Sequence, residues 1–167
     1  MTRPHGRGAR VALLVGIMLV ARGVERLAAQ EPATAYAPEL RLDAMGGRRS
    51  SVQGAIGIDI PAGPYARVGL LAGAGALTGT PSGAAGRVDV LARFLLDPYR
   101  QSRWGLSAGG GVSLRADAGD RVRPNLLIAL DLEGPRTSHG FSPAFQVGFG
   151  GGVRGGAGLR WNGRRTR

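Results

Sequence analysis

The stretch Arg87-Val88-Asp89-Val90-Leu91-Ala92-Arg93-Phe94-Leu95-Leu96 (RVDVLARFLL, 87–96) divides in two when every second residue is taken. Val88, Val90, Ala92, Phe94 and Leu96 fall on one side, and Arg87, Asp89, Leu91, Arg93 and Leu95 on the other. A period of two puts alternate side chains on opposite faces of a β-strand. Three charges share one face here and none lies on its opposite, so the segment predicts a strand between two different surroundings.

The same alternation extends in both directions. Towards the N-terminus, Leu40, Leu42 and Ala44 oppose Glu39, Arg41 and Asp43. Val52, Ile56, Ile58 and Ile60 then oppose Gln53, Ala55, Gly57 and Asp59, and Val68, Leu70, Ala72, Ala74 and Ala76 oppose Arg67, Gly69, Leu71, Gly73 and Gly75. Towards the C-terminus, Trp104, Leu106, Ala108, Val112 and Leu114 oppose Arg103, Ser107, Gly109, Gly111, Ser113 and Arg115. Leu126, Ile128, Leu130 and Leu132 oppose Asn125, Ala129, Asp131 and Glu133. Phe141, Phe145, Val147 and Phe149 oppose Ser142, Ala144, Gln146 and Gly148, and Val153, Ala157, Leu159 and Trp161 oppose Arg154, Gly156, Gly158 and Arg160.

Turn signals separate the segments: Gly46-Gly47, Pro61 to Pro64, Thr80 to Gly83, Asp97-Pro98, Ala118 to Asp120, Gly134-Pro135 and Gly150 to Gly152. Eight segments of roughly 9–11 residues with short connections predict one all-β domain, an eight-stranded antiparallel up-and-down transmembrane β-barrel over residues 38–161.

Composition agrees. Glycine supplies 30 of 167 residues, which disfavours helices, and 43% hydrophobic content disfavours disorder. Cysteine is absent, which removes disulfide frameworks, cysteine-based zinc sites and thiol chemistry. The net charge is +11, and every one of the 22 basic residues is Arg. These arginines are scattered singly along the strands and in small groups at the chain ends, so no nucleic-acid partner is expected.

Part of the basicity belongs to the first residues. Arg3, Arg7 and Arg10 precede the apolar run Val11 to Ala21, too short for a transmembrane helix and suited to a secretory signal. Small residues at Ala28 and Ala29 place the expected cleavage after Ala29, with Ala33-Thr34-Ala35 as a second choice and an uncleaved anchor as the alternative. Loss of residues 1–29 removes five Arg and one Glu and lowers the net charge from +11 to +7. A lead at 30–37 then precedes the barrel, and a basic tail at 162–167 follows it.

Alternation alone fits a soluble barrel with its apolar face inward or a membrane barrel with that face outward. Three features favour lipid outside. The polar face is rich in glycine (Gly57, Gly69, Gly73, Gly75, Gly105, Gly109, Gly111, Gly148, Gly156 and Gly158), as suits the crowded interior of an eight-stranded barrel. It also carries both signs of charge: Arg41, Arg67, Arg87, Arg93, Arg115, Arg154 and Arg160 against Asp43, Asp59, Asp89, Asp131 and Glu133. Seven against five predicts a salt-bridged lumen, because buried charges persist only when paired or hydrated. Finally, with the N-terminus in the periplasm, Phe94, Trp104, Phe141 and Trp161 fall on the lipid face at the periplasmic end, near Tyr65 and Tyr99. That is the girdle of a membrane barrel.

On these features residues 38–161 resemble the small eight-stranded outer-membrane barrels, the outer membrane protein A-like and X-like domains. The final strand ends in Gly-Leu-Arg-Trp (158–161), although Asn162 to Arg167 follow the terminal aromatic. The resemblance implies residence in the outer membrane, outer-membrane lipid and the barrel-assembly machinery as partners, and a structural or surface-presenting role. A narrow pore and a soluble periplasmic ligand-binding barrel are the alternatives. The loops expected to face outward, Thr78 to Ala85 and Ala116 to Arg123, are short and lack an aromatic cluster, so no specific protein partner is expected.

Chemistry has little support in the sequence. Some barrels of the class it resembles deacylate lipid A with a Ser/His/acid set, and Glu133, Ser138, His139 and Ser142 lie close in sequence. They surround a turn on the expected periplasmic side, so Ser138-His139-Gly140 reads as a polar turn and no enzyme is expected. His5 falls in the signal region. No metal or cofactor is expected, and Gly109 to Gly111 and Gly150 to Gly152 lack the Lys-Ser/Thr of a phosphate loop. Arg164 to Arg167 read as a solvated tail.

Overall fold

The computed structural model describes residues 36–80, 82–97, 102–119 and 121–161. The export signal expected at 1–29, most of the 30–37 lead, Tyr99 and the 162–167 tail lie outside the described residues. Eight strands form: β1 (Ala37–Gly46), β2 (Ser50–Pro61), β3 (Ala66–Thr78), β4 (Ala84–Leu95), β5 (Gly105–Asp117), β6 (Arg123–Glu133), β7 (Phe141–Phe149) and β8 (Val153–Trp161). Each pairs antiparallel with its neighbours in sequence, and β1 also pairs with β8, closing the barrel. Closure leaves no edge strand, so each strand has a hydrogen-bonded neighbour on both sides.

The boundaries fall where the turn residues demand. Gly63, in the β2–β3 turn, has φ +85°, and Gly151, in the β7–β8 turn, has φ +76°, both in the left-handed region that a side chain disfavours. No turn at the end opposite the N-terminus exceeds five residues. There the β1–β2, β3–β4, β5–β6 and β7–β8 connections are 47–49, 79–83, 118–122 and 150–152, whereas β4–β5 and β6–β7 are joined by 96–104 and 134–140.

Sidedness follows the parity of the sequence. In β1 burial alternates without exception, with Ala37, Glu39, Arg41, Asp43 and Met45 inside. In β4, Arg87, Asp89, Leu91 and Arg93 are buried, while Val88, Val90 and Phe94 are exposed. The outward register of all eight strands carries no charged residue, and its hydroxyls are confined to Ser50 and Thr78 at one end. Ile56 is 67% exposed and Leu126 73% exposed, whereas Arg160 is 1% exposed. Polar residues are thus inside and apolar residues outside, the reverse of a soluble barrel.

Small inward residues let the strands and the charged side chains share a narrow interior. A Cβ on Gly111 would collide with the Val90 carbonyl and come within 2.8 Å of the Leu91 Cα. A Cβ on Gly158 would strike the Leu40 carbonyl and lie 2.6 Å from Cγ of Arg41. Glycine at these two positions therefore makes room for inward side chains on the adjacent strand. Three apolar side chains also point inward and pack together: Leu91, Leu127 and Ala129. Leu127 sits within the run Leu126 to Leu130, where alternation by polarity is lost, and the register decides its direction.

Candidate functional site: a charge-filled lumen

Inward parity on six strands brings six arginines and six carboxylates into one network. At its centre Arg160, from β8, reaches four carboxylates: Nη2 to Glu39 at 3.0 Å, Nε to Asp59 at 2.9 Å, and Nη1 to Asp131 at 3.2 Å and to Glu133 at 2.9 Å. Arg93, from β4, lies beside them. It pairs with Asp59, donates to Asp131 at 2.9 Å, and stands 3.8 Å from Glu39. Arg67 closes this group on Glu133 at 3.0 Å.

Glu39 then links to a second group nearer the short-loop end. Arg41 spans Glu39 at 3.3 Å and Asp43 at 3.0 Å. Arg87 pairs with Asp43, with Asp89 at 3.1 Å and with the Gln53 side-chain carbonyl at 3.2 Å. Arg154 donates to Asp89 at 2.9 Å and to Gln146 at 2.9 Å, and Gln146 donates back to Asp131 at 3.3 Å. The chain of contacts is continuous, and its members balance at zero net charge. That balance lets so many ions leave bulk water together, because each carboxylate keeps a guanidinium partner and each guanidinium at least one carboxylate.

Two details differ from the sequence reading. Glu39 joins the network although the seven-against-five charge set omitted it; its parity with Arg41 and Asp43 carried the signal. Arg115 stands apart from the network. It pairs with Asp117 at 2.9 Å and donates to the Arg49 carbonyl at 2.7 Å, at the mouth of the barrel. The other eleven anticipated residues, Arg41, Asp43, Asp59, Arg67, Arg87, Asp89, Arg93, Asp131, Glu133, Arg154 and Arg160, meet in the interior.

The mouth at the short-loop end is bridged. Arg49 donates to the Ala118 carbonyl at 3.0 Å, so the β1–β2 and β5–β6 loops are tied together. Within the barrel a cavity of about 20 Å³ lies beside Arg41, Asp89 and Arg93.

Phe94, Trp104, Phe141 and Trp161 all lie at the opposite end, on the outer surface. Phe94 is exposed, and Trp161 packs against Phe141 across the β7–β8 pair, with ring centroids 3.8 Å apart and the planes tilted by 49°. Trp104 stands 6.3 Å from Phe145. Tyr36 and Tyr65 are exposed at the same end, and Tyr36 was not anticipated. Ser138 and His139 are exposed in the 134–140 turn, whereas Glu133 and Ser142 are buried and point into the barrel, so the four do not share one surface.

No protein-family model matches the sequence, and no curated protein is similar to it in sequence. The fold is that of a solved structure, the crystal structure of the N-terminal β-barrel domain of Pseudomonas aeruginosa OprF. The two share 12% sequence identity with a TM-score of 0.51, over 74% of this chain and 93% of that one. At that identity the likeness concerns the closed eight-stranded barrel itself.

Proposed function

We propose that the chain is an integral outer-membrane β-barrel with a structural or surface-presenting role, its lumen closed by the arginine–carboxylate network. The observation that carries this reading is the uncharged outward register of all eight strands over an ion-paired interior. Soluble proteins rarely expose a contiguous apolar surface beyond a few hundred Å², and this one runs around the whole barrel. Lipid cannot hydrogen-bond backbone groups, and a closed barrel leaves none to satisfy. The strands of 9 to 13 residues are long enough, because about 11 residues at ~3.3 Å each, tilted by ~45°, project to ~26 Å. The apolar band of such barrels is ~25 Å tall. The aromatic cluster at one end supports an interfacial girdle, and the likeness to the OprF barrel domain agrees in fold.

Extraction tests the membrane reading. The protein is expected to stay with the membrane fraction in high salt and alkaline carbonate, and to leave only with detergent. Release by salt alone would replace this reading with a secreted soluble barrel. Conductance tests the closed lumen. Reconstituted protein is expected to give no steady single-channel current, and a stable ohmic current would make it a narrow pore.

A further inference from the structure

The interior network is neutral, yet the barrel mouth is not. Five arginines converge there: Arg48 and Arg49 from the β1–β2 loop, Arg121 from the β5–β6 loop, and Arg115 and Arg123 from β5 and β6. They line a cavity of about 90 Å³, open on one side. Asp117 is the single carboxylate among its described lining residues, and the neighbouring Asp120 lies outside them. Even with both acids counted, the mouth carries an excess of three positive charges.

The arrangement is held in place. Arg115 is 7% exposed, fixed by Asp117 at 2.9 Å and by the Arg49 carbonyl at 2.7 Å. Arg49 is fixed in turn by the Ala118 carbonyl. The register sets Arg87, Arg115 and Arg123 directly opposite one another on three successive strands. Like charges placed opposite across a sheet are destabilising unless something offsets them. Arg87 is offset from within by Asp43 and Asp89. Arg115 is offset by Asp117, and Arg115 and Arg123 both line the cavity. Gly151, at φ +76°, keeps that space clear, since a Cβ there would come within 2.9 Å of the Asn125 amide.

We infer that this mouth binds a phosphate group. Guanidinium forks arriving from two loops and two strands match a tetrahedral oxyanion with several acceptor oxygens, whereas a carboxylate offers only two. The cavity has room for one such group. Two sources share this chemistry: a phosphorylated lipid headgroup of the surrounding leaflet, and a soluble phosphate or pyrophosphate. The lipid source rests on the membrane reading above; the oxyanion site does not.

The test is calorimetric titration of the full chain, folded in detergent, with inorganic phosphate and with pyrophosphate. The variant pair is Arg48→Gln with Arg121→Gln, both in exposed loop positions. The control is Arg103→Gln with Arg136→Gln, which removes the same charge at the other end, and circular dichroism checks the strand content of each. Pyrophosphate binding is expected to weaken about tenfold or more in the mouth variant and to be unchanged in the control. A wild-type protein that binds neither anion, or a control that weakens as much as the mouth variant, overturns the site. The source is read in phosphatidylcholine nanodiscs containing lipid A or its dephosphorylated counterpart. Preference for the phosphorylated form, lost in the mouth variant, assigns the site to lipid. Equal behaviour of the two lipids with retained pyrophosphate binding assigns it to a soluble phosphate. Because the titration is done in detergent, its failure leaves the membrane reading to the extraction test.

Discussion

Replacing Arg160 with methionine removes one cation from the centre of the lumen and keeps most of the side-chain volume. Four carboxylates touch that guanidinium, but each retains a second partner. Glu39 keeps Arg41 at 3.3 Å, Asp59 keeps Arg93, Asp131 keeps Arg93 at 2.9 Å and Glu133 keeps Arg67 at 3.0 Å. The network therefore passes from balance to one uncompensated negative charge, not to four. Breaking one buried ion pair costs ~3–5 kcal/mol, and the expected loss is of that size and not a multiple of it. Urea unfolding in phosphatidylcholine vesicles, followed through Trp104 and Trp161, measures it. Adding Asp131→Asn to Arg160→Met restores neutrality and is expected to recover ~1.5 kcal/mol or more. A single variant within ~1 kcal/mol of wild type, the worth of an exposed pair, would refute the idea that these ions are desolvated and interdependent. So would a double variant less stable than Arg160→Met alone.

Three further outcomes are expected from the same unfolding assay. Ile56→Arg puts a charge in the middle of the outward face of β2 and should cost ~2–4 kcal/mol in vesicles, whereas on a watered surface it would change stability by under ~0.5 kcal/mol. Gly111→Ala should lose ~1–3 kcal/mol, because the added Cβ meets the Val90 carbonyl, while Gly54→Ala, with open space around it, should lose nothing measurable. Trp161→Ala removes the ring contact with Phe141 and should cost ~0.5–1.5 kcal/mol beyond the area it exposes, and Phe141→Ala added to it should cost less than Phe141→Ala alone.

The barrel was legible in the sequence wherever charge marked the inward parity. Arg87, Asp89 and Arg93 fix the direction of β4 without reference to any other strand, and Glu39, Arg41 and Asp43 do the same for β1. Where both parities are apolar, as at Leu126 to Leu130, the inward turn of Leu127 is marked only by its parity with Asn125 and Asp131 further along β6, and pairing to Gly111 agrees with it. The membership of the lumen was nearly complete from parity, but its pairing was not. Arg87 meets Asp43 across 44 residues of chain, and that depends on how the register staggers around the closed barrel. The cluster at the mouth was hidden for the same reason. Arg48 and Arg49 lie far from Arg121 and Arg123 along the chain, and they converge only because the β1–β2 loop reaches the β5–β6 loop across the opening.

The orientation of the apolar surface towards lipid can be measured directly. The chain has no cysteine, so a single cysteine at Ile56, Val90, Leu130 or Leu159 carries a nitroxide without background. In vesicles, the relaxation of each label by oxygen should exceed its relaxation by a water-soluble nickel complex, while a label at Gly63 in the β2–β3 turn should show the opposite order. Nickel access at the four strand positions equal to that at Gly63 would mean that this surface meets water, and the protein would not be a membrane barrel.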